Sequence, residues 1–290
     1  MKIAPKPTIQ QLVSSFGKRL EQVGIDAGRV EIEIILCNLL KVDRLELYLH
    51  GAGRIDDTAM LELERIVARR ETRYPLQFIL EEAWFYSRSF LVNESVMIPT
   101  PETELLCDAA KQFVRAHELA APRILDIGTG SGVIAVTLAN EIERASIVAV
   151  DLSGDALAVA KQNAARLGGS DRIEWRESNL LSAVRPTERF DLILSNPPYI
   201  SEDEYRELPP EVLADPKLAL TSGSEGLDAI TQIMQDAPSF LNPRGRLMFE
   251  IGYNQRENVA AISARDHRYT SFALLQDLNG IDRVIILGCD

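Results

Sequence analysis

The segment Arg123-Ile-Leu-Asp-Ile-Gly-Thr-Gly-Ser-Gly-Val-Ile-Ala-Val136 constrains the fold more than any other stretch of this chain. A short apolar run, a loop with glycine at every second position and a renewed apolar run read as strand, tight turn and helix, the opening βα unit of a doubly wound α/β sheet. Gly128, Gly130 and Gly132 let the backbone turn sharply and approach a ligand closely. Dinucleotide enzymes use a similar loop, so the glycines alone leave the ligand open. Two details favour S-adenosylmethionine. Val133 stands where the dinucleotide pattern wants its third glycine, and Asp126 precedes the turn, where a carboxylate repels a pyrophosphate and attracts an ammonium group.

The following apolar run, Ala145-Ser-Ile-Val-Ala-Val-Asp151, has the character of a strand buried between two helical layers. Its terminal Asp151 is placed to accept from both ribose hydroxyls, although an acid there can equally cap a helix. Arg172 to Asn179 reads as a third strand whose end reaches the adenine, with Asn179 able to accept from its amino group.

A fourth run, Phe190-Asp-Leu-Ile-Leu-Ser195, ends in Asn-Pro-Pro-Tyr, Asn196 to Tyr199. Two consecutive prolines remove two N–H donors and fix φ, leaving a rigid group of acceptors beside one aromatic face. Such a group suits a planar –NH2. If the Asn196 side-chain oxygen and the Pro197 carbonyl each accept one N–H, the nitrogen lone pair is re-localised and aimed at a methyl donor, while Tyr199 stacks on the flat group. A bare Pro-Pro pair is usually only a turn. The upstream donor site reverses that reading, and direct displacement aided by positioning is the expected mechanism.

The 290 residues suffice for a medium domain plus a small one. A net charge of −12 argues against a surface that tracks phosphates. Cys37, Cys107 and Cys289 are widely spaced, as are His50, His117 and His267, so neither a metal site nor a disulfide framework is signalled. The first residues lack the apolar core of a signal peptide, and a cytoplasmic location is expected. From Thr8 to Arg73 apolar residues recur at helical spacing, with Asp56 and Asp57 as N-cap candidates. Trp84 to Ile98 alternates like a hairpin, Pro99-Thr-Pro-Glu-Thr-Glu104 opens a helix, and Asp228 to Leu241 reads as another. The polar stretch from Tyr199 to Gly226 is a candidate substrate-covering loop, and Tyr269–Leu275 with Arg283–Leu287 forms a final antiparallel pair.

Together these segments resemble the HemK/PrmC family of release-factor glutamine N5-methyltransferases. The match rests on Pro99–Glu104, Asp126–Gly132, Asn196–Tyr199, Asp215-Pro-Lys-Leu-Ala-Leu220 with Gly226-Leu-Asp228, Glu250-Ile-Gly252 with Gln255, and Gly280-Ile-Asp-Arg283. The resemblance implies a class I S-adenosylmethionine-dependent methyltransferase sheet at residues 101–290, a hairpin linker at 79–100, and a small all-helical N-terminal domain at 1–78 that docks the release factor. It implies methylation of the glutamine in the Gly-Gly-Gln motif of class I peptide-chain release factors. S-adenosyl-L-methionine would sit against Asp126, Gly128, Thr129, Gly130, Ser131 and Gly132, then Asp151, Leu152, Asn179, Leu180 and Asn196. The substrate would meet Asn196, Pro197, Pro198, Tyr199 and Glu102, with Asn196, Pro197 and Tyr199 as the catalytic set. Thr100 stands where the family usually has arginine, Asn179 where an acid is commoner, and Leu180 where some members have an aromatic residue. A nucleic-acid base amino methyltransferase and a non-catalytic relative that binds a translation factor are the alternatives.

Overall fold

The computed structural model describes residues 6–289. The reading of the first residues as lacking a signal peptide falls partly on Met1–Pro5, outside the described residues. Two compact units emerge, one of residues up to Glu81 together with Pro210–Ala214, the other of Glu82–Pro209 and Asp215 onward.

The first unit is helical: α1 (Ile9–Gln22), α2 (Gly28–Leu40), α3 (Arg44–Leu49), α4 (Asp57–Arg70) and α5 (Leu76–Leu80). Thr8 and Asp43 close reciprocal capping boxes with Gln11 and Glu46. Asp56 caps α4 by accepting from the Ala59 N–H, which makes Asp57 the first helical residue rather than a cap. The apolar positions at helical spacing converge on one core that includes Leu12, Leu20, Ile32, Leu36, Leu63 and Val67. Within this unit the Glu211 carboxylate accepts from both Arg70 and Arg73.

The second unit opens on a hairpin, β1 (Glu82–Phe85) and β2 (Arg88–Leu91). The expected hairpin from Trp84 to Ile98 thus begins two residues earlier and ends at Leu91. Its two-residue turn holds Tyr86 and Ser87 at φ of 52° and 58°, the conformation of a type I′ turn without the usual Asn-Gly. Pro101–Thr103 forms one 3₁₀ turn, and α6 (Glu104–Ala116) follows.

Seven strands form the sheet: β3 (Arg123–Ile127), β4 (Ser146–Asp151), β5 (Ile173–Glu177), β6 (Phe190–Ser195), β7 (Leu241–Glu250), β8 (Ser271–Gln276) and β9 (Asp282–Gly288). Their order is β5-β4-β3-β6-β7-β9-β8, parallel except for β9, which is antiparallel to both β7 and β8. Because successive side chains on a strand point to opposite faces, Ile124, Leu192, Leu194 and Met248 enter one core while Leu125, Ile127, Ile193 and Phe249 enter the other. Burial on both faces explains the nearly unbroken apolar runs. Helices α7 (Val133–Glu141) and α8 (Gly154–Leu167) follow β3 and β4.

Between β6 and β7 lie α9 (Glu202–Tyr205), α10 (Pro210–Leu213), α11 (Lys217–Leu220) and α12 (Asp228–Asp236). The helix expected to run to Leu241 stops at Asp236, where Pro238 enters a 3₁₀ turn, Ala237–Phe240. After β7 comes α13 (Arg256–Arg265). No helix among the described residues is long and apolar enough to cross a membrane.

From β3 the chain passes to β4 on one side, whereas β6 pairs on the other. The carboxyl ends of β3 and β6 therefore flank a topological switch point, where doubly wound sheets open a ligand crevice. Ser195 closes the base of it by donating its hydroxyl to the Ile127 carbonyl at 2.8 Å.

Candidate active site

A cavity of about 500 Å³ occupies that crevice, within the usual size of small-molecule sites. Gly128 and Gly130 border it at φ of 71° and 55°, and a Cβ built on either meets nothing within 4 Å, so open space lies directly before the bare backbone. Gly132 serves a different end. It stands at φ 84° with Ala160 only 3.1 Å from where its Cβ would be, which lets α7 and α8 approach.

The loop's amide groups reveal what kind of ligand fits. Gly128 and Thr129 donate to the Val150 carbonyl, Gly130 to Asp151 and Gly132 to Thr129. A phosphate-binding loop keeps such donors free for the anion; here the protein consumes four of them. Asp126 sits behind the loop, fully buried and away from the cavity wall. Its Oδ2 accepts from the Thr129 hydroxyl at 2.7 Å and the Ala135 N–H at 3.2 Å, while Oδ1 has no partner. Burial pushes the Asp126 carboxyl up to about 7. A loop that has spent these four donors on the protein suits a cationic ligand better than a pyrophosphate.

Asp151 lies at the end of β4 and lines the cavity. It accepts from Gly130 N–H at 2.8 Å through Oδ2 and from Ser153 N–H at 2.9 Å through Oδ1. Each carboxylate oxygen has two lone pairs, so one on each is left for a diol. Thr129, Ser131, Leu152, Asn179 and Leu180 line the cavity as well. Leu180 adopts φ 48°, a left-handed backbone that aims the Asn179–Leu180 turn at the cavity.

Asn196 and Pro198 also reach the cavity, whereas Pro197 is buried and Tyr199 turns inward. The Asn196 Nδ2 donates to Thr103 Oγ1 at 3.0 Å, Thr103 donates to Glu250 Oε2 at 2.7 Å, and the Tyr199 hydroxyl donates to Glu250 Oε1 at 3.2 Å. Burial and the neighbouring Glu250 carboxylate push the Tyr199 hydroxyl well above its ordinary range. Glu102 is half-buried and stays off the cavity wall; its charge acts on Tyr199, Glu250 and Arg283.

Several contributors lie outside the expected site residues. Asn163 on α8, fully buried, donates to the carbonyls of Ser131 and Leu91 and accepts from Leu91 N–H, tying the glycine loop to the hairpin. Ser95, Val96 and Met97 supply part of the wall from the segment after β2, and Leu218 and Ala219 supply another part from α11. Asp215 anchors the latter by accepting from Ile98 N–H at 3.2 Å, and burial raises its carboxyl to about 7. Gln255 accepts from Gly252 N–H and donates to the carbonyls of Tyr199 and Gly226.

Residues 103–225 match the family described as Methyltransferase small domain, and residues 11–80 match the PrmC N-terminal domain. The chain is 38% identical over 285 residues to a release factor glutamine methyltransferase of Koribacter versatilis, covering 96% of this chain and 98% of that protein. It is 42% identical over 270 residues to one of Cereibacter sphaeroides, covering 92% and 93%. The fold is shared with the hMettl16 catalytic domain solved with a MAT2A 3′UTR hairpin, at TM-score 0.57 and 14% identity over 80% of this chain and 82% of that one. It is also shared with the T. thermophilus 16S rRNA N2 G1207 methyltransferase solved with AdoMet and guanosine, at TM-score 0.51 and 16% identity over 72% and 50%. The sheet is that of a class I methyltransferase.

Proposed function

Since this chain belongs to the release factor glutamine methyltransferase family, we propose that it methylates the side-chain amide nitrogen of the glutamine in the Gly-Gly-Gln motif of class I peptide-chain release factors. When bound, S-adenosyl-L-methionine supplies an electrophilic methyl group on a sulfonium. Asp151 accepts from the ribose hydroxyls, the bare backbone at Gly128 and Gly130 gives room for the methionine moiety, and Asn179 and Leu180 border the adenine. On the substrate side, the Asn196 Oδ1 and the Pro197 carbonyl accept the two amide N–H groups. That grip orients the nitrogen and restores density to its lone pair, which amide resonance otherwise withdraws. The helical unit, which carries the PrmC N-terminal match, is the part to which we assign release-factor docking.

The observation that carries this reading is the placement of Asn196 on the same cavity as the glycine loop and Asp151. The decisive experiment incubates the pure protein with methyl-labelled donor and a class I release factor, its Gly-Gly-Asn variant, or duplex DNA. Label is expected in the Gly-Gly-Gln protein alone. Label in DNA, or equal label in the Gly-Gly-Asn variant, sinks the assignment.

The ribose role of Asp151 is tested separately. Asp151→Asn removes the charge and is expected to weaken donor binding about tenfold, the worth of one charge-assisted hydrogen bond. Titration calorimetry with the donor reads it out, and wild-type affinity in the variant would place the ribose elsewhere.

A further inference from the structure

We propose that Glu250, acting through Thr103, is a positioning residue that fixes which way the Asn196 carboxamide faces, so that its oxygen and not its NH2 meets the substrate amide. The inference rests on the role given to Asn196 above and goes beyond it by naming what enforces that role.

A carboxamide has nearly the same shape in both flip states, and only its hydrogen-bond partners tell them apart. Asn196 touches one such partner, the Thr103 hydroxyl, which has a single hydrogen and can either donate or accept toward the amide. Glu250 removes that freedom. An ionised carboxylate only accepts, so the 2.7 Å contact obliges Thr103 to spend its hydrogen on Glu250 Oε2. The Thr103 oxygen is then an acceptor toward Asn196, and only Nδ2 can face it, as the 3.0 Å bond shows. The Thr100 hydroxyl, 3.5 Å from that of Thr103, can act only as a second donor to it. Among the described residues no protein group donates to the Asn196 Oδ1, and Asn196 and Thr103 both line the cavity. The Tyr199 hydroxyl donates to the other carboxylate oxygen, so both Glu250 oxygens are held.

The same logic gives a pH dependence. Burial raises Glu250 to about 7; the charges facing it are Arg283, which favours the anion, and Glu102, which opposes it. Once protonated, Glu250 can donate to Thr103, which can then donate to Asn196 Oδ1 and turn the amide so that Nδ2 faces the substrate N–H groups. Two donors then confront each other. The productive state is the anion, so turnover rises with pH through the titration of Glu250 and falls below it.

The test measures kcat, donor affinity and the pH profile with a Gly-Gly-Gln release factor for wild type, Glu250→Gln, Thr103→Val, Thr103→Ser, Asn196→Ala and the double variant of Asn196→Ala with Glu250→Gln. Glutamine can donate or accept, so Glu250→Gln is expected to lower kcat about tenfold, as for loss of one buried charge-assisted bond, with donor affinity little changed. Its profile should be flat where wild-type turnover rises through about pH 7. Thr103→Val should lose activity similarly, and Thr103→Ser should recover it. A glutamine at 250 still accepts from the Tyr199 hydroxyl through its carbonyl oxygen, so what changes is the path to Asn196, and the double variant should be no worse than Asn196→Ala alone. Unchanged kcat and an unchanged pH profile in Glu250→Gln, or losses that multiply in the double variant, would overturn the relay. If Glu250→Gln loses donor binding along with turnover, the Thr103 pair decides: serine as poor as valine refutes the hydroxyl's part. Wild-type turnover in Asn196→Ala would remove the underlying role of that residue, and the relay with it.

Discussion

Replacing Asn196 by alanine is expected to lower turnover about a hundredfold while the donor still binds, by analogy with removing one preorganised partner of a developing charge. The reasoning starts from the weakness of the nucleophile. An amide nitrogen shares its lone pair with the carbonyl, so attack requires that density be drawn back, and an acceptor on each N–H favours the polarised form along the reaction. In the proposed grip Asn196 supplies one of two such acceptors, and the Pro197 carbonyl, on a residue that lacks an N–H and is locked in φ, supplies the other. In water the same bonds would be worth little, since solvent makes them equally well. At the end of a buried strand, oxygens held this way need no reorganisation when the bond forms. The residues proposed to hold the donor, the glycine loop and Asp151, lie on other elements and are untouched by the change. Single-turnover rates under saturating donor and release factor give the chemical step, and calorimetry gives donor affinity. A rate near wild type would refute the role of Asn196, and a parallel collapse of donor binding would show that it serves the donor instead.

The parts of this site that were legible in the sequence are those built from neighbouring residues. The glycine loop announces itself because a tight turn needs glycine within a few positions, and the strands announce themselves because burial on both faces demands an unbroken apolar run. Asn196 to Tyr199 was legible for the same reason. What could not be read is the wiring that holds these pieces. Thr103 lies 93 positions from Asn196 and 147 from Glu250, and nothing in the spacing of a threonine, an asparagine and a glutamate says that they meet. Asn163 looks like an ordinary helix residue until β2 and the glycine loop are both found against it. The hairpin was visible from its alternation, yet its turn was not, because Tyr86 and Ser87 hold positive φ without glycine or asparagine. Asp126 shows the limit from the other side: its type and place pointed to the ligand, and the fold buries it behind the loop, where it holds Thr129.

Gly226→Ala is expected to be as damaging as the loss of Asn196, although residue 226 carries no functional group. Its φ is 70°, and an alanine Cβ there would lie 2.2 Å from the Tyr199 carbonyl oxygen, 2.8 Å from its carbon and 3.0 Å from the Gln255 Nε2. None of these neighbours can retreat easily. The Tyr199 carbonyl is held by Gln255, which also takes the Gly226 carbonyl, and the Tyr199 hydroxyl is held by Glu250. Relieving the clash must therefore push either the Gly226 loop outward or the Asn196–Tyr199 backbone toward the cavity. The left-handed backbone alone costs an alanine about 1 kcal/mol, and breaking the Gln255 bonds adds about 1 kcal/mol each, so a loss near 3 kcal/mol of local stability follows. A displacement of about 1 Å in the acceptors that grip the amide is enough to cost about a hundredfold in rate. Thermal unfolding should shift down by several degrees, and kcat should fall about as far as in Asn196→Ala, with donor affinity far less affected. Gln255→Ala provides the control: it removes the staple but adds no clash, so its loss should be smaller. If Gly226→Ala unfolds at the wild-type temperature and turns over normally, the packing of Gly226 against Tyr199 does not set the geometry of the Asn-Pro-Pro-Tyr turn.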